Sequence, residues 1–373
     1  MHGCFLGFFA LLPLEDTNFD DLIDWFGKSA EKQNRINFTN TINNLHAKGL
    51  VERSGKQITM HKMFRDSMLY QERKRKNPFL IQSFNIGCLT MRIKEGADHS
   101  LSETVRFLKF GEAILATIKE PYREAVYFSL LQLENEVLRI YNWLNKEKDM
   151  VSRWRNLFER SEKYLPHNDG LLGIISNNYG LALAAEGDWE QAFPKFERAI
   201  FILQHLDKKA LPQLFISLCN LCSLFIQKKD LERFKECFDT IQDLRMKHNM
   251  WNDISAPIQS QILGSFNFEL ANFPEAIKLY NLAINLHQEL PKENKNDAYL
   301  VIYFIKLGES YVMNKELDKA EKAATIAINV FSKLNEENLN FLPVIINLMI
   351  TISELKGDHQ KAEKLKEALK NIE

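Results

Sequence analysis

A few residue groups in this 373-residue chain have types and spacings that could do chemistry. Gly27-Lys28-Ser29 ends as a phosphate-cradling loop ends, where backbone amides and a lysine would hold a nucleotide's phosphates. The full pattern also needs a glycine at position 22, which is Leu22, and a strand before it, where the chain has an amphipathic helix; Gly27 therefore reads as a helix-ending glycine. Cys219-Asn220-Leu221-Cys222 has redox or zinc spacing but no second pair, and within a helical stretch its thiols read as small buried hydrophobes. The nine histidines are scattered and form no His-Glu-x-x-His. Asn40, Asn43, Asn44, His46 and Lys48, with Arg53 and Lys56, could touch bases and phosphates. They make a thin electrostatic footprint, and the run Arg73-Lys74-Arg75-Lys76 before Asn77-Pro78 reads as a solvated hinge. No pair of carboxylates or nucleophile–base arrangement stands out, so the chain is expected not to be an enzyme, with neither catalytic residues nor a metal site.

The elements that would position these groups fall into three stretches. Residues 1–76 predict an apolar helix over 4–12, a turn at Pro13–Thr17, and helices over Phe19–Phe26 and Phe38–Lys48. A hairpin of Leu50–Glu52 and Gln57–Met60 about Arg53-Ser54-Gly55-Lys56 follows, then a helix from His61 to Gln71. Three helices, a two-stranded wing and a closing helix make a winged-helix domain. Residues 77–165 are helical without clean repeats: 79–93, 102–118, 122–144 and 150–164, with Trp154 and Phe158 as the wedge of a degenerate hairpin.

In residues 166–373 a phrase of spacings recurs. Gly180, Gly187, Trp189, Ala192, Phe196 and Ala199 return as Gly264, Phe273, Ala276, Tyr280 and Ala283, then as Gly308, Tyr311, Leu317, Ala320, Ala324 and Ala327. With Phe234, Phe238 and Ile241 as a degenerate copy, the anchor alanines 192, 276, 320 and 362 give steps of 42, 42, 44 and 42 residues. A fixed period with small residues at helix contacts predicts stacked helical hairpins, an aromatic four residues after each anchor alanine filling the gap to the next hairpin. The expected fold is all-α, a helical-hairpin solenoid preceded by the small winged helix.

The phrase resembles the tetratricopeptide repeat, whose helix A carries the glycine and helix B the Ala-aromatic-Ala series. Its long period looks like that of kinesin light chains and bacterial signalling ATPases. The resemblance implies that helix A lines a concave groove, with residues three before and one, four and five after its glycine facing a ligand. Counted from Gly180, Cys222, Gly264 and Gly308, these are Asn177, Leu181 and Ala184; Cys219, Ser223, Ile226 and Gln227; Gln261, Ser265, Phe268 and Glu269; Ile305, Glu309, Val312 and Met313. Amides, acids and apolar groups together suit a protein or peptide ligand. Asn177 and Gln261 could equally tie neighbouring hairpins together.

The first stretch resembles the winged helix of NB-ARC-type STAND ATPases, through Phe5-Leu6-Gly7-Phe8-Phe9, Leu22-Ile23-Asp24-Trp25-Phe26-Gly27, Leu45-Lys48-Gly49-Leu50-Val51 and Ile58-Thr59-Met60-His61. In that family a Met-His-Asp motif opens the last helix and its histidine senses bound ADP. Met60 and His61 match, Lys62 departs, and His61 becomes a nucleotide-sensor candidate as well as a helix cap. No cofactor is expected in this chain; ADP or ATP would enter only with an upstream ATPase domain.

Composition fits a water-soluble helical interaction protein: 45% hydrophobic, 26% charged, 15 Gly, 10 Pro and a net charge of -1, which disfavours nucleic acid as the main partner. Five cysteines without disulfide spacing favour a reducing, cytoplasmic location. The run Cys4–Leu12 lacks the flanks of a signal peptide and the length of a bilayer span, so no membrane is expected. The leading reading is the regulatory, ligand-sensing portion of a STAND-like signalling protein. The alternative is a free-standing tetratricopeptide adaptor, or a peptide-responsive transcription regulator with its winged helix on DNA.

Overall fold

The computed structural model describes residues 9–13, 17–27, 32–99, 101–121, 126–144, 149–248, 255–291, 295, 297–334 and 341–370. It is all-α apart from three short strands, and it divides into two compact units, 1–97 with 101–140, and 98–100 with 141–373.

In the first unit, Phe9–Leu12 form a tight buried turn; the rest of the helix expected over 4–12 lies outside the described residues. Thr17–Asn18, expected as part of a turn, is a strand, β1. It leads into α1 (Phe19–Gly27) and α2 (Lys32–Ala47), then β2 (Glu52–Ser54), β3 (Gln57–Thr59) and α3 (Lys62–Arg73). The sheet order is β1-β3-β2, all antiparallel, with Thr17 opposite Ile58 and Arg53 opposite Ile58 from the other side. A two-residue strand holds because Phe19 N donates to Lys56 O at 2.7 Å and Phe19 and Ile58 are both buried. The apolar spacing of α1 and α2 places Leu22, Phe38, Ile42 and Leu45 in one core with Val51, Met60 and Leu69. Arg65 anchors α3 by donating from Nε to Ala10 O (2.9 Å) and from Nη2 to Thr117 Oγ1 (3.1 Å). After α3 the chain turns at Phe79, whose φ is 62° and whose amide donates to the buried Glu72 carboxylate at 3.0 Å. Helices α4 (Leu80–His99), α5 (Leu101–Thr117) and α6 (Tyr127–Leu144) follow.

The second unit is a tetratricopeptide-like stack. After α7 (Met150–Tyr164) come the A/B pairs α8 (Gly170–Ala185) and α9 (Trp189–Leu203), α10 (Leu211–Gln227) and α11 (Leu231–His248), and α12 (Ser255–Glu269) and α13 (Phe273–Glu289). Two more pairs complete it, α14 (Asp297–Met313) with α15 (Leu317–Lys333), and α16 (Phe341–Lys356) with α17 (His359–Lys370). Each hairpin turns the same way: Gly187, Lys229, Ala271, Lys315 and Gly357 all have positive φ. The following amide reaches back to helix A, as in Asp188 N→Leu183 O and Asn272 N→Asn267 O, both 2.9 Å, closing the helix end that would otherwise leave carbonyls unpaired.

The glycine positions work differently from the expectation. A Cβ on Gly180 would lie 3.1 Å from the Phe196 ring, and one on Gly264 2.9 Å from the Tyr280 ring. The aromatic thus seals its own hairpin as well as the gap to the next one, where Tyr280 shares a cluster with Tyr303 and Leu307. In the fourth hairpin Ala324 replaces the aromatic, and Leu348 from the next A helix fills the room over Gly308, 2.8 Å from where a Cβ would stand.

Candidate functional site

Helices A of successive hairpins pack side by side, whereas successive B helices make at most marginal contact among the described elements. The A layer is therefore the tighter, inner layer of the stack, and the register its helices share defines the candidate surface. On that surface Leu181 and Met313 are exposed, as are Gln227 and Glu269, while Ser223, Gln261, Ser265 and Glu309 are half-buried.

Their bonds differ. Ser223 Oγ donates to Cys219 O within its own helix at 3.0 Å. Gln261 Nε2 donates to Ser265 Oγ at 3.1 Å, and Ser265 Oγ meets Tyr280 OH at 3.0 Å, which couples α12 to α13. Burial holds the Tyr280 phenol neutral, and the charges of Glu269 and Glu309 push its pKa the same way, so both carboxylates lie within electrostatic reach of one hydroxyl. Glu309 pairs with Lys306 at 2.8 Å; Glu269 has no ion-pair partner among the described residues. Asn177 is buried, and its Oδ1 accepts from Asn220 Nδ2 at 2.9 Å, so it ties α8 to α10. Asn220 is half-buried, and its amide oxygen has no hydrogen-bond donor among the described residues.

A row missing from the sequence-based set lies six residues before each helix-A reference position. It comprises Ile174, Ile216, Ile258 and Ile302, all half-buried, and continues 42 residues after Ile302 as Val344 on α16, which is exposed. The repeat register already in hand, counted one turn further toward the helix N-termini, would have found it.

The other candidate groups are engaged in structure. His61 is exposed and caps α3, its Nδ1 accepting from Met63 N at 3.3 Å. Lys28 and Ser29 lie outside the described residues. Cys219, Cys222 and Cys237 are buried; a hydrogen bond with Cys237, and then burial, push the Cys222 thiol far up, toward the protonated form that is neither nucleophile nor ligand. Among the described residues no three His, Cys, Asp or Glu side chains gather as metal ligands. The wing's cations are paired within the unit: Arg53 Nη1 donates to Asn43 Oδ1 at 2.8 Å and stacks over Phe19, and Lys56, itself exposed, pairs with Asp20 at 2.6 Å. One stretch, Lys208–Gln227, is long and apolar enough to cross a bilayer, and most of it is buried within the stack.

No family model matches the sequence, and no curated protein does either. Among solved structures, a Rap protein in complex with Competence and Sporulation Factor aligns over 78% of this chain and 76% of its own, at 12% identity and a TM-score of 0.56. A STAND protein with a tetratricopeptide repeat sensor from Pyrococcus horikoshii aligns over 99% of this chain and 62% of its own, at 13% identity and a TM-score of 0.37. BtubC (BKLC) from P. vanneervenii aligns over 66% and 92%, at 18% identity and a TM-score of 0.42. The last two overlays are too loose to carry an argument, and at 12% identity the first shows a shared fold alone.

Proposed function

We propose that this chain captures a protein or peptide segment on the inner face of its A helices and passes the occupancy on as a signal. The observation that carries the reading is the face itself. Leu181, Ser223, Gln227, Gln261, Ser265, Glu269, Glu309 and Met313 recur in register on the A helices of four consecutive hairpins, mix polar with apolar groups, and none of them is fully buried. Such a surface offers hydrogen-bond partners to a backbone and pockets to side chains, and a stack of this kind has few other ways to act. The Rap fold, seen with Competence and Sporulation Factor, supports a stack of this kind in a complex.

Within this reading the first unit is a winged helix of the STAND type, on the helix–hairpin–helix order, the β1-β3-β2 sheet and the Met60-His61 pair. It would couple the ligand face to an upstream ATPase domain, with His61 as the nucleotide sensor, in the cytoplasm. The chain alone is expected neither to hydrolyse ATP nor to hold it, since Leu22 stands where the phosphate loop needs glycine. A role on DNA is the weaker reading because Arg53 and Lys56 are already paired within the unit.

The test is partner capture by the whole chain. Replacing Ser223, Gln261 and Glu309 together by Ala is expected to abolish capture and leave the melting curve nearly unchanged, since none of the three is fully buried. Capture that survives this change, and fails when Lys278 and Lys322 on the B helices are replaced, would overturn the proposal.

A further inference from the structure

The aliphatic row at the N-terminal half of the A helices narrows what the face can hold; this step rests on the reading above. Ile174, Ile216, Ile258, Ile302 and Val344 recur at steps of 42, 42, 44 and 42 residues, one per hairpin. None is fully buried, and Ile302 and Val344 belong to none of the apolar clusters that fill the stack from α13 to α16. Five β-branched or branched aliphatic side chains in register, each partly in water, form a ladder along the face rather than part of the core.

The spacing selects the occupant. Packed helices stand about 8–10 Å apart, so the ladder offers one apolar rung at about that interval. A polyproline II segment has three residues per turn and rises about 3.1 Å per residue, so every third side chain returns after about 9 Å. An α-helix could match with every seventh residue, at about 10 Å, but its backbone groups are already paired. Beside the ladder stand Asn220, Gln261 and Asn347, carboxamides of which an α-helix would make no use and which an extended backbone needs. Across the face from the ladder lie Ser223, Ser265, Glu309 and Thr351, with Glu269, which has no ion-pair partner among the described residues, at the far edge.

We infer that the inner face binds an extended, polyproline-II-like peptide carrying an aliphatic side chain at every third position and a Lys or Arg directed at Glu269. In a three-fold helix the side chains of each turn point about 120° apart. One meets the ladder, one meets the polar wall, and the third faces water.

Selecting a displayed library of random peptides about twelve residues long, enough for four rungs, against the full chain tests this. The enriched peptides should share aliphatic residues at intervals of three and a basic residue at one of the two intervening positions. Ile258→Gln with Ile302→Gln should weaken the best peptide by about tenfold or more, as loss of two apolar contacts requires. Glu269→Gln should remove the preference for the basic residue. Both changes are at accessible side chains, and unchanged melting will show that the fold is intact. A consensus at intervals of two or seven, or a peptide indifferent to the isoleucine changes, overturns the ladder. If that peptide is nonetheless lost on Ser223→Trp, the inner face remains the binding surface and only its ligand class is wrong. Indifference to all of these changes, or no enrichment, overturns the ladder and the proposed function together.

Discussion

Close packing around single residues decides the sign of small substitutions. At Gly264 an added Cβ would sit 2.9 Å from the Tyr280 ring, which its hydroxyl bond to Ser265 prevents from moving aside. Overpacking of about 1–3 kcal/mol then opposes the roughly 1 kcal/mol gained by replacing a helical glycine with alanine, so Gly264→Ala should lower stability by up to about 2 kcal/mol in urea unfolding. At Gly87, in the middle of α4, nothing lies within 4 Å, and Gly87→Ala should raise stability by about 0.5–1 kcal/mol. Equal effects at the two sites would show that the packing around Gly264 is looser than the ring contact implies. His287 gives a pH-dependent counterpart. Burial lowers its pKa more than Asp297, 3.5 Å away, raises it, so the folded chain prefers the neutral ring. Its contribution is complete above the unfolded value of about 6.5 and is lost as pH falls through the lower folded value. Melting temperatures measured across this range should fall more for the wild type than for His287→Gln.

At the scale of elements, the hairpin turns and the ion-pair clamps are separable devices. Gly187 and Gly357 suit the left-handed turn, but Ala271 adopts φ 56° with a side chain that disfavours it. Ala271→Gly should therefore stabilise the chain by about 1 kcal/mol, while Gly187→Ala should destabilise it by a similar amount. If Ala271→Gly is destabilising, the turn does not hold the left-handed conformation. At the end of the stack Glu321 on α15 accepts from Lys356 on α16 and Lys361 on α17, and these two bonds hold its carboxyl down to about 2. A depressed carboxylate stabilises the fold above its unfolded value and ceases to do so as pH falls through the folded one, here from the ordinary value of 4.5 toward 2. Amide exchange in α16 and α17 should accelerate over that window, and Glu321→Gln should remove most of the acceleration. The groups are partly exposed to solvent, so the effect should shrink with added salt.

For the whole molecule, a stack in which each hairpin is covered only by its neighbours unfolds from its ends. α17 packs on α16, and Ala362 is its one fully buried residue. Hydrogen exchange should rank α17 as the least protected of the described helices in the second unit and the paired α8 and α12 among the most protected. Uniform protection along the stack would mean a single cooperative core in place of nearest-neighbour coupling.

What the sequence determined by itself was what local periodicity encodes. The steps from Ala192 to Ala362 predict the B helices, Gly180, Gly264 and Gly308 their A partners, and the spacing of Leu22, Ile42 and Leu45 the helices of the first unit. Each of these residues acts through neighbours three or four positions away, and such neighbours are visible in one dimension. Tertiary structure decided the rest, because contacts between residues far apart in sequence leave no local period. β1 pairs with a strand about 40 positions on, Thr17 opposite Ile58 and Asn18 opposite Gln57, and no two-residue segment announces that. Leu348 fills the space that Ala324 leaves over Gly308, a compensation between two hairpins. Asn177 stands in the groove-facing register of its helix yet is buried, because Asn220 on the next A helix draws its amide into a tie between hairpins. Which side chains of a helix end up in the wall and which in the mortar depends on where the neighbouring helix stands, and only packing sets that.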